Sequence, residues 1–417
     1  MGLTVVGLVF ALYALVASRI ERALLSAPMV FVAAGIAIGP AALDLLPATP
    51  TGDASLLLAE LTLAVLLFAD ASTVQLREVE GDARLPGRLL LIGLPLCIVL
   101  GTLAARLVFP ALPWAAAALI ASILAPTDVA LGLPVVSNAA VPIRIRRALN
   151  VESGLNDGIA TPFVTLSLLI VAADEHTGPT NWAAEALTEL GLAVVAALAV
   201  GVVGGLAVRE AVRREWTTRT SQELVVVTLA LLSYAAALTI GGNGFVAAFL
   251  GGIFFGAATG GQLHEPTEFA ENVGLFASFL VWTLFGAFVA GPLLRDGPSA
   301  GAVAYAILSL TVIRMVPVAL ATMGLALRSE TLLFVGWFGP RGLASVVFLL
   351  IAIEDVGGTP VADPLVSTVT CTILLSILLH GVTARPLADV YGRRIRSIGQ
   401  DLPETLSAPE PRVRRRH

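Results

Sequence analysis

Seven ionisable side chains fall inside or at the ends of long apolar segments: Asp70, Asp128, Glu152, Asp157, Arg314, Arg341 and, nearer a segment end, Glu60. A charge in the middle of a bilayer span costs several kcal/mol, so each such residue is a candidate for function. Three of the acids lie close together in sequence or flank helix-breaking residues: Glu152, Asp157 and Asp128. The densest run is Glu152-Ser153-Gly154-Leu155-Asn156-Asp157-Gly158. On a helix, Ser153 and Asp157 are four residues apart and share a face, and Glu152 and Asn156 share the neighbouring face. Two polar stripes on an apolar helix, rich in oxygen and without sulfur, suit a hard cation. Asp157, Asp128 and the Thr127 and Ser153 hydroxyls, with freed backbone carbonyls, make a cage for an alkali ion such as Na⁺. Histidine is missing from this set, which argues against zinc or copper.

Two of the charged residues sit beside helix breakers. Asp128 lies in Ala125-Pro126-Thr127-Asp128-Val129, with Pro134 further on; Arg341 lies in Gly339-Pro340-Arg341-Gly342. Proline removes a backbone donor and frees a carbonyl. An unwound stretch at mid-membrane, lining a cavity, is therefore expected at both places. Arg314 lies within another apolar segment. Four acids and two arginines at depth imply ion pairing that leaves about two carboxylates over. Arg314 is assigned to Glu152 and Arg341 to Asp70, one of several pairings the residue types allow. Snorkelling of both arginines to the inner face is the competing arrangement.

The elements that position these residues follow from composition. The chain has 417 residues, of which 57% are apolar and only 13% charged. Soluble domains carry ~25% charged residues. Too few charges are present to cover soluble surfaces, which excludes a soluble enzyme, a nucleic-acid binder and a disordered protein. A span takes ~20 apolar residues. Thirteen candidate spans run roughly 2–18, 27–43, 55–71, 87–109, 113–136, 148–173, 184–207, 222–240, 243–258, 269–291, 300–326, 331–352 and 363–386. The fold class is an all-α integral membrane protein. Residues 1–387 form the transmembrane domain, and 388–417 form a short cytoplasmic tail expected to be disordered from its Pro, Glu and Arg content. Cys97 and Cys371 lie in apolar runs and give neither a disulfide framework nor a metal spacing. His176, His264, His380 and His417 are read as solvated groups in loops, at span ends or in the tail.

Loop charge is segregated. One alternate set of loops, with the tail, holds 21 of the 25 arginines, including Arg77, Arg144, Arg146, Arg147, Arg209 and Arg328. The positive-inside rule places that set in the cytoplasm, with the N-terminus outside and the C-terminus inside. The expected location is the inner (plasma) membrane of a bacterium. An internal repeat is also visible. Phe31-Val32-Ala33-Ala34 recurs as Phe245-Val246-Ala247-Ala248, and the Pro126 and Pro340 motifs are related by the same offset. The offset moves an odd number of spans forward, so the second copy is inverted. Spans 1–6 and 8–13 then form inverted repeats with span 7 as linker, an arrangement typical of secondary transporters.

At these residues the sequence resembles the NhaP-type branch of the monovalent cation/proton antiporters. The motifs are Thr127-Asp128, the Glu152–Asp157 run, Arg341-Gly342 and Arg314. The resemblance implies a homodimer, each protomer with a dimerisation domain and a six-helix core domain containing two crossed broken helices. It implies that Asp157 carries cation and proton alternately, and that Thr127, Asp128 and Ser153 complete the cation shell. Glu152 would pair with Arg314, and Arg341 would brace the crossing with Asp70. The family usually has proline after Thr-Asp; this chain has Val129, which shifts the expected break toward Pro134. Position 156 is Asn. Within the resemblance, an Asn-Asp pair goes with one-for-one, electroneutral exchange.

Physically, a carboxylate in a partly dry cavity resists carrying its charge. A proton or a cation can neutralise it, but not both together. Such competition is sufficient for obligatory exchange. The chain has no lysine, so no ATP-binding P-loop is possible and an ion gradient must drive transport. The expected partners are monovalent cations (Na⁺, with Li⁺ or K⁺ as alternatives), protons and the lipid bilayer. No cofactor, enzymatic activity or nucleic-acid partner is expected. A cation channel, an intramembrane aspartyl protease using Asp128 and Asp157, and an organic-solute symporter are the competing readings. The paired arginines, the inverted repeat and the scarcity of aromatics at the motifs count against them in turn.

Overall fold

A computed structural model describes residues 2–22, 25–46, 53–73, 84–175, 182–261, 263–399 and 402–405. All thirteen predicted spans fall on helix. The helices are α1 (Gly2–Arg22), α2 (Ala27–Ile38), α3 (Asp53–Thr73) and α4 (Arg84–Val108). They continue with α5 (Trp114–Ile123), α6 (Val129–Val136), α7 (Ile143–Glu175), α8 (Trp182–Arg213), α9 (Arg219–Thr239) and α10 (Gly244–Thr259). The last are α11 (Glu265–Asp296), α12 (Ala300–Ala321), α13 (Ser329–Trp337), α14 (Leu343–Val356) and α15 (Ala362–Ile398). Eight described helices are individually long and apolar enough to cross a bilayer. The segments 113–136 and 331–352 are each divided into two half-helices, α5/α6 and α13/α14.

Small residues set the close packing. Gly252 and Gly256 of α10 lie against the Phe68 and Ser72 carbonyls of α3, with no room for a Cβ. Gly35 and Gly39 of α2 lie in the same way against Thr283 and Ala287 of α11. Between apolar helices in lipid, such backbone approach supplies the attraction that hydrophobic burial cannot. The repeat offset exchanges these two helix pairs.

Some helix irregularities have local causes. In α4 and α11 a π turn (Leu89–Gly93 and Gly286–Ala290) precedes Pro95 and Pro292. The Leu94 and Gly291 N–H groups reach back to the Leu89 and Gly286 carbonyls. The wider turn accommodates the missing proline donor. Helix α12 is interrupted at Thr311, whose φ/ψ of −119°/−92° leaves the helical region just before Arg314.

Two expectations change here. The break after Thr127-Asp128 does not move toward Pro134. The chain is non-helical from Leu124 to Asp128, and Pro134 lies inside α6. Contacts at the crossing, described below, satisfy the backbone groups freed around Pro126. The described residues from 388 onward, namely 388–399 and 402–405, are not a disordered tail. Helix α15 runs on to Ile398, and Pro403–Thr405 forms a short 3₁₀ turn. Glu404 is fully buried and accepts from the Arg328 N–H and the Thr331 hydroxyl, while Arg144 donates to the Pro403 carbonyl. Low apolar content did not signal this docking, because it runs through one carboxylate and one guanidinium. His176, His417, Arg77 and residues 406–417 lie outside the described residues.

Candidate functional site

The two interrupted segments cross at their non-helical stretches. The Asp128 N–H donates to the Pro340 carbonyl at 2.8 Å, and the Asp128 carboxylate accepts from the Leu343 N–H at 3.0 Å. Leu343 opens α14, so Asp128 sits at the positive end of that half-helix. Conversely, the Arg341 guanidinium donates to the Ala125 and Pro126 carbonyls, just past the negative end of α5, at 3.0 and 3.3 Å. The repeat offset aligns Thr127-Asp128 with Arg341-Gly342, so the crossing places opposite charges at opposite half-helix ends. Ser345 adds a bond to the Ile123 carbonyl at 2.7 Å. Gly342 is required by this approach: any Cβ there would overlap the Asp128 carboxylate.

Helix α7 lies against the crossing. Thr127 is buried, and its hydroxyl is 3.0 Å from the Ser153 hydroxyl and accepts from the Asn156 amide at 2.6 Å. The predicted pair of stripes on α7 thus brings Ser153 and Asn156 onto the first break. The Asn156 Oδ1 atom is buried with no hydrogen-bond partner. Buried acceptors without a donor are rare, and a cation satisfies one. Asp157 is half-buried on α7, within electrostatic range of Asp128 and Asp70. Its backbone carbonyl accepts from the Thr161 hydroxyl one turn further along α7 at 2.8 Å.

The second charged group is an ion pair. Arg314 donates to both Glu152 carboxylate oxygens, at 2.6 and 2.9 Å, with 2% and 4% of the two side chains exposed. The fork geometry satisfies both oxygens at once. Gly339 of the second break lies directly against this guanidinium. The pair therefore ties α7 to α12 beside the crossing. The Arg314–Glu152 assignment agrees with the structure.

The Arg341–Asp70 assignment does not. The buried Arg341 side chain binds three carbonyls, those of Ala125, Pro126 and, at 3.2 Å, Ser309. Unwinding around Pro126 and the Thr311 interruption free these oxygens, and they replace a carboxylate as its partners. Asp70 stands instead beside α7, its Cβ 4.0 Å from where a Cβ on Gly154 would be. Glu60 is half-buried and accepts from the Tyr234 hydroxyl at 2.8 Å, apart from the cluster.

His380 is 1% exposed within α15, not solvated at a span end. Together with Ser376 it contacts the second break. The signal was present in the sequence as a Ser/His pair four residues apart in an apolar run.

Comparison with known proteins bears on this geometry. The family profile "Sodium/hydrogen exchanger, transmembrane" matches residues 5–390. The Na⁺/H⁺ antiporter NhaH of Halobacillus dabanensis is 28% identical over 291 residues, covering 67% of this chain and 70% of that protein. The K⁺/H⁺ antiporter NhaP of Alkalimonas amylolytica is 25% identical over 294 residues, 70% of this chain; the chain spans about half the length of that relative, 50%. Among solved structures, the sodium proton antiporter MjNhaP1 of Methanocaldococcus jannaschii superposes with a TM-score of 0.76 at 20% identity. It covers 93% of this chain and 98% of the other. That likeness shows the antiporter fold.

Proposed function

The chain belongs to the sodium/hydrogen exchanger family, and from this premise we propose that it exchanges a monovalent cation for a proton across the membrane by alternating access. The observation that carries the reading is the meeting of Thr127, Ser153 and Asn156 at the crossing of two interrupted helices, with Asp157 next in the chain and within electrostatic range of Asp128. In this reading Asp157 is the carrier. A proton on its carboxyl, or a cation beside it, neutralises the same charge, and each excludes the other. Thr127, Ser153 and the unpartnered Asn156 Oδ1 supply neutral oxygens to the dehydrated ion. Asp128, held by the Leu343 N–H, is the fixed anion that offsets dehydration. Arg341 and the Arg314–Glu152 pair hold the crossing and carry no cargo.

The arginine asymmetry supports an N-terminus outside and a C-terminus in the cytoplasm, and in this reading the membrane is a bacterial plasma membrane. The functional unit is a homodimer. The protein is a transporter and not an enzyme, with the cation and the proton as its cargo. With Asn at 156, only Asp157 on α7 changes its proton occupancy. One proton then moves against one cation, and no net charge crosses.

The test is proton flux in proteoliposomes on addition of NaCl, LiCl or KCl in turn. At least one of the three should drive proton movement in wild-type vesicles and not in empty ones. For a Na⁺-driven flux, clamping the membrane potential with K⁺ and valinomycin should leave the end-point unchanged. An end-point that follows the imposed voltage would mean more than one proton per cation, with Asp128 or Glu152 as a second carrier. No flux with any of the three salts would remove the exchange reading.

A further inference from the structure

The second break leaves two backbone groups without helical partners. The Trp337 carbonyl ends α13, and the Arg341 N–H lies beyond it in the non-helical stretch. The Arg341 N–H is answered from α15, and the Trp337 carbonyl, which also accepts from the Gly339 N–H at 2.8 Å, takes a second donor from the same helix. His380 Nε2 lies 2.8 Å from the Trp337 carbonyl, and the Ser376 hydroxyl accepts from the Arg341 N–H at 2.7 Å. His380 Nδ1 also faces a carbonyl, that of Ser376 at 3.0 Å, but this oxygen lies within α15 and has a helical partner, whereas the Trp337 carbonyl at the end of α13 has none; the ring proton is therefore assigned to Nε2. His380 Nδ1 then accepts from the Ser376 hydroxyl at 3.2 Å. The result is a chain of bonds from Arg341 N–H through Ser376 and His380 to Trp337, bridging both sides of the Gly339-Pro340 interruption. Further along α15, Thr383 accepts from the Trp337 indole at 3.0 Å and holds the same end. Ser376 and His380 are 0% and 1% exposed, so water cannot substitute for either.

We infer that His380, acting through Ser376, is a positioning residue for cation binding. Between the two anchored groups lies Pro340, whose carbonyl receives the Asp128 N–H, and Arg341, which grips the first break. The relay therefore fixes the unwound stretch against Asp128, although His380 touches no proposed cation ligand. The inference rests on the reading that Asp128 belongs to the cation site. Loss of the relay should loosen the cage and weaken cation binding before it slows turnover.

The experiment compares full-length wild type with His380→Gln, His380→Leu and Ser376→Ala in proteoliposomes, over a series of concentrations of the cation that drives flux. The Gln amide can still donate to the Trp337 carbonyl; Leu cannot. His380→Leu and Ser376→Ala should raise the apparent KM by about tenfold or more with a smaller change in kcat, and His380→Gln should stay within about threefold of wild type. If His380→Leu does not fold, Ser376→Ala carries the same expectation. A wild-type KM in either variant, or equal KM values for the Gln and Leu variants, would overturn the role. The rise in thermal midpoint on adding the chloride salts to detergent-solubilised protein is read in parallel. A cation-induced rise present in wild type and diminished in the Leu or Ala variant supports the role even if wild-type vesicles show no exchange. In that event the exchange reading fails separately. An undiminished rise in those variants would overturn the role.

Discussion

Asp157→Asn should abolish cation-driven proton flux while leaving the fold intact. Asparagine has nearly the shape of the protonated acid, but it neither binds a proton nor presents a charge to a cation. The α7 site would lose the only group that both cargoes neutralise. Folding should not suffer, because Asp157 stands within electrostatic range of Asp128 and Asp70, and removing a like charge relieves repulsion. The variant should purify with wild-type yield and a thermal midpoint at or above that of wild type. Flux measured in vesicles should equal that of empty vesicles at every salt concentration. Flux near the wild-type rate would remove Asp157 from the mechanism. Asp128→Asn is expected to differ: the amide can still accept from the Leu343 N–H, and cation affinity should fall with some turnover remaining.

Arg314→Ala should produce the largest loss of stability. The Arg314–Glu152 pair is almost wholly buried and doubly hydrogen-bonded. Removing the guanidinium strands the Glu152 carboxylate at depth, a change that costs about 3–5 kcal/mol when a buried pair is broken on one side. Glu152→Ala strands the arginine and should cost a comparable amount. The double variant strands neither and should regain part of the loss, because replacing both partners of a buried pair is far cheaper than removing one. Thermal midpoints of the four proteins complete a double-mutant cycle. Coupling of about 1 kcal/mol or more is expected for contacting residues. Additive losses would mean that the pair does not hold α7 to α12.

Hydropathy, proline positions and charges at depth were enough to place the helices and most of the site. All thirteen apolar segments are helical, and both divided segments are interrupted at the predicted motifs. The four-residue spacing of Ser153 and Asp157, offset by one from Glu152 and Asn156, defines two polar stripes on α7; their partners, Arg314 for Glu152 and Thr127 for Ser153, are not fixed by that spacing and emerge from the structure. What stayed hidden shares one cause. Unwinding creates backbone acceptors and donors whose number cannot be read from residue types. Arg341 was therefore matched to a carboxylate when freed carbonyls of two other segments were its partners. The burial of His380 is hidden from the sequence for the same reason, since the carbonyl it serves is freed only because α13 ends at Trp337. The 402–405 segment docks through Glu404 and Pro403, a contact that composition does not report.

The central claim is that cation and proton compete for one carboxylate, and its most direct test is the pH dependence of the apparent cation KM. Rates are measured in vesicles across a range of cation concentrations at several pH values on the acid side of the activity profile. A cation that must displace a proton should show a KM rising by about tenfold for each unit fall in pH, because binding releases one proton. The maximal rate at saturating cation should stay constant. A KM indifferent to pH, with the maximal rate falling instead, would place proton and cation on separate groups and contradict the account.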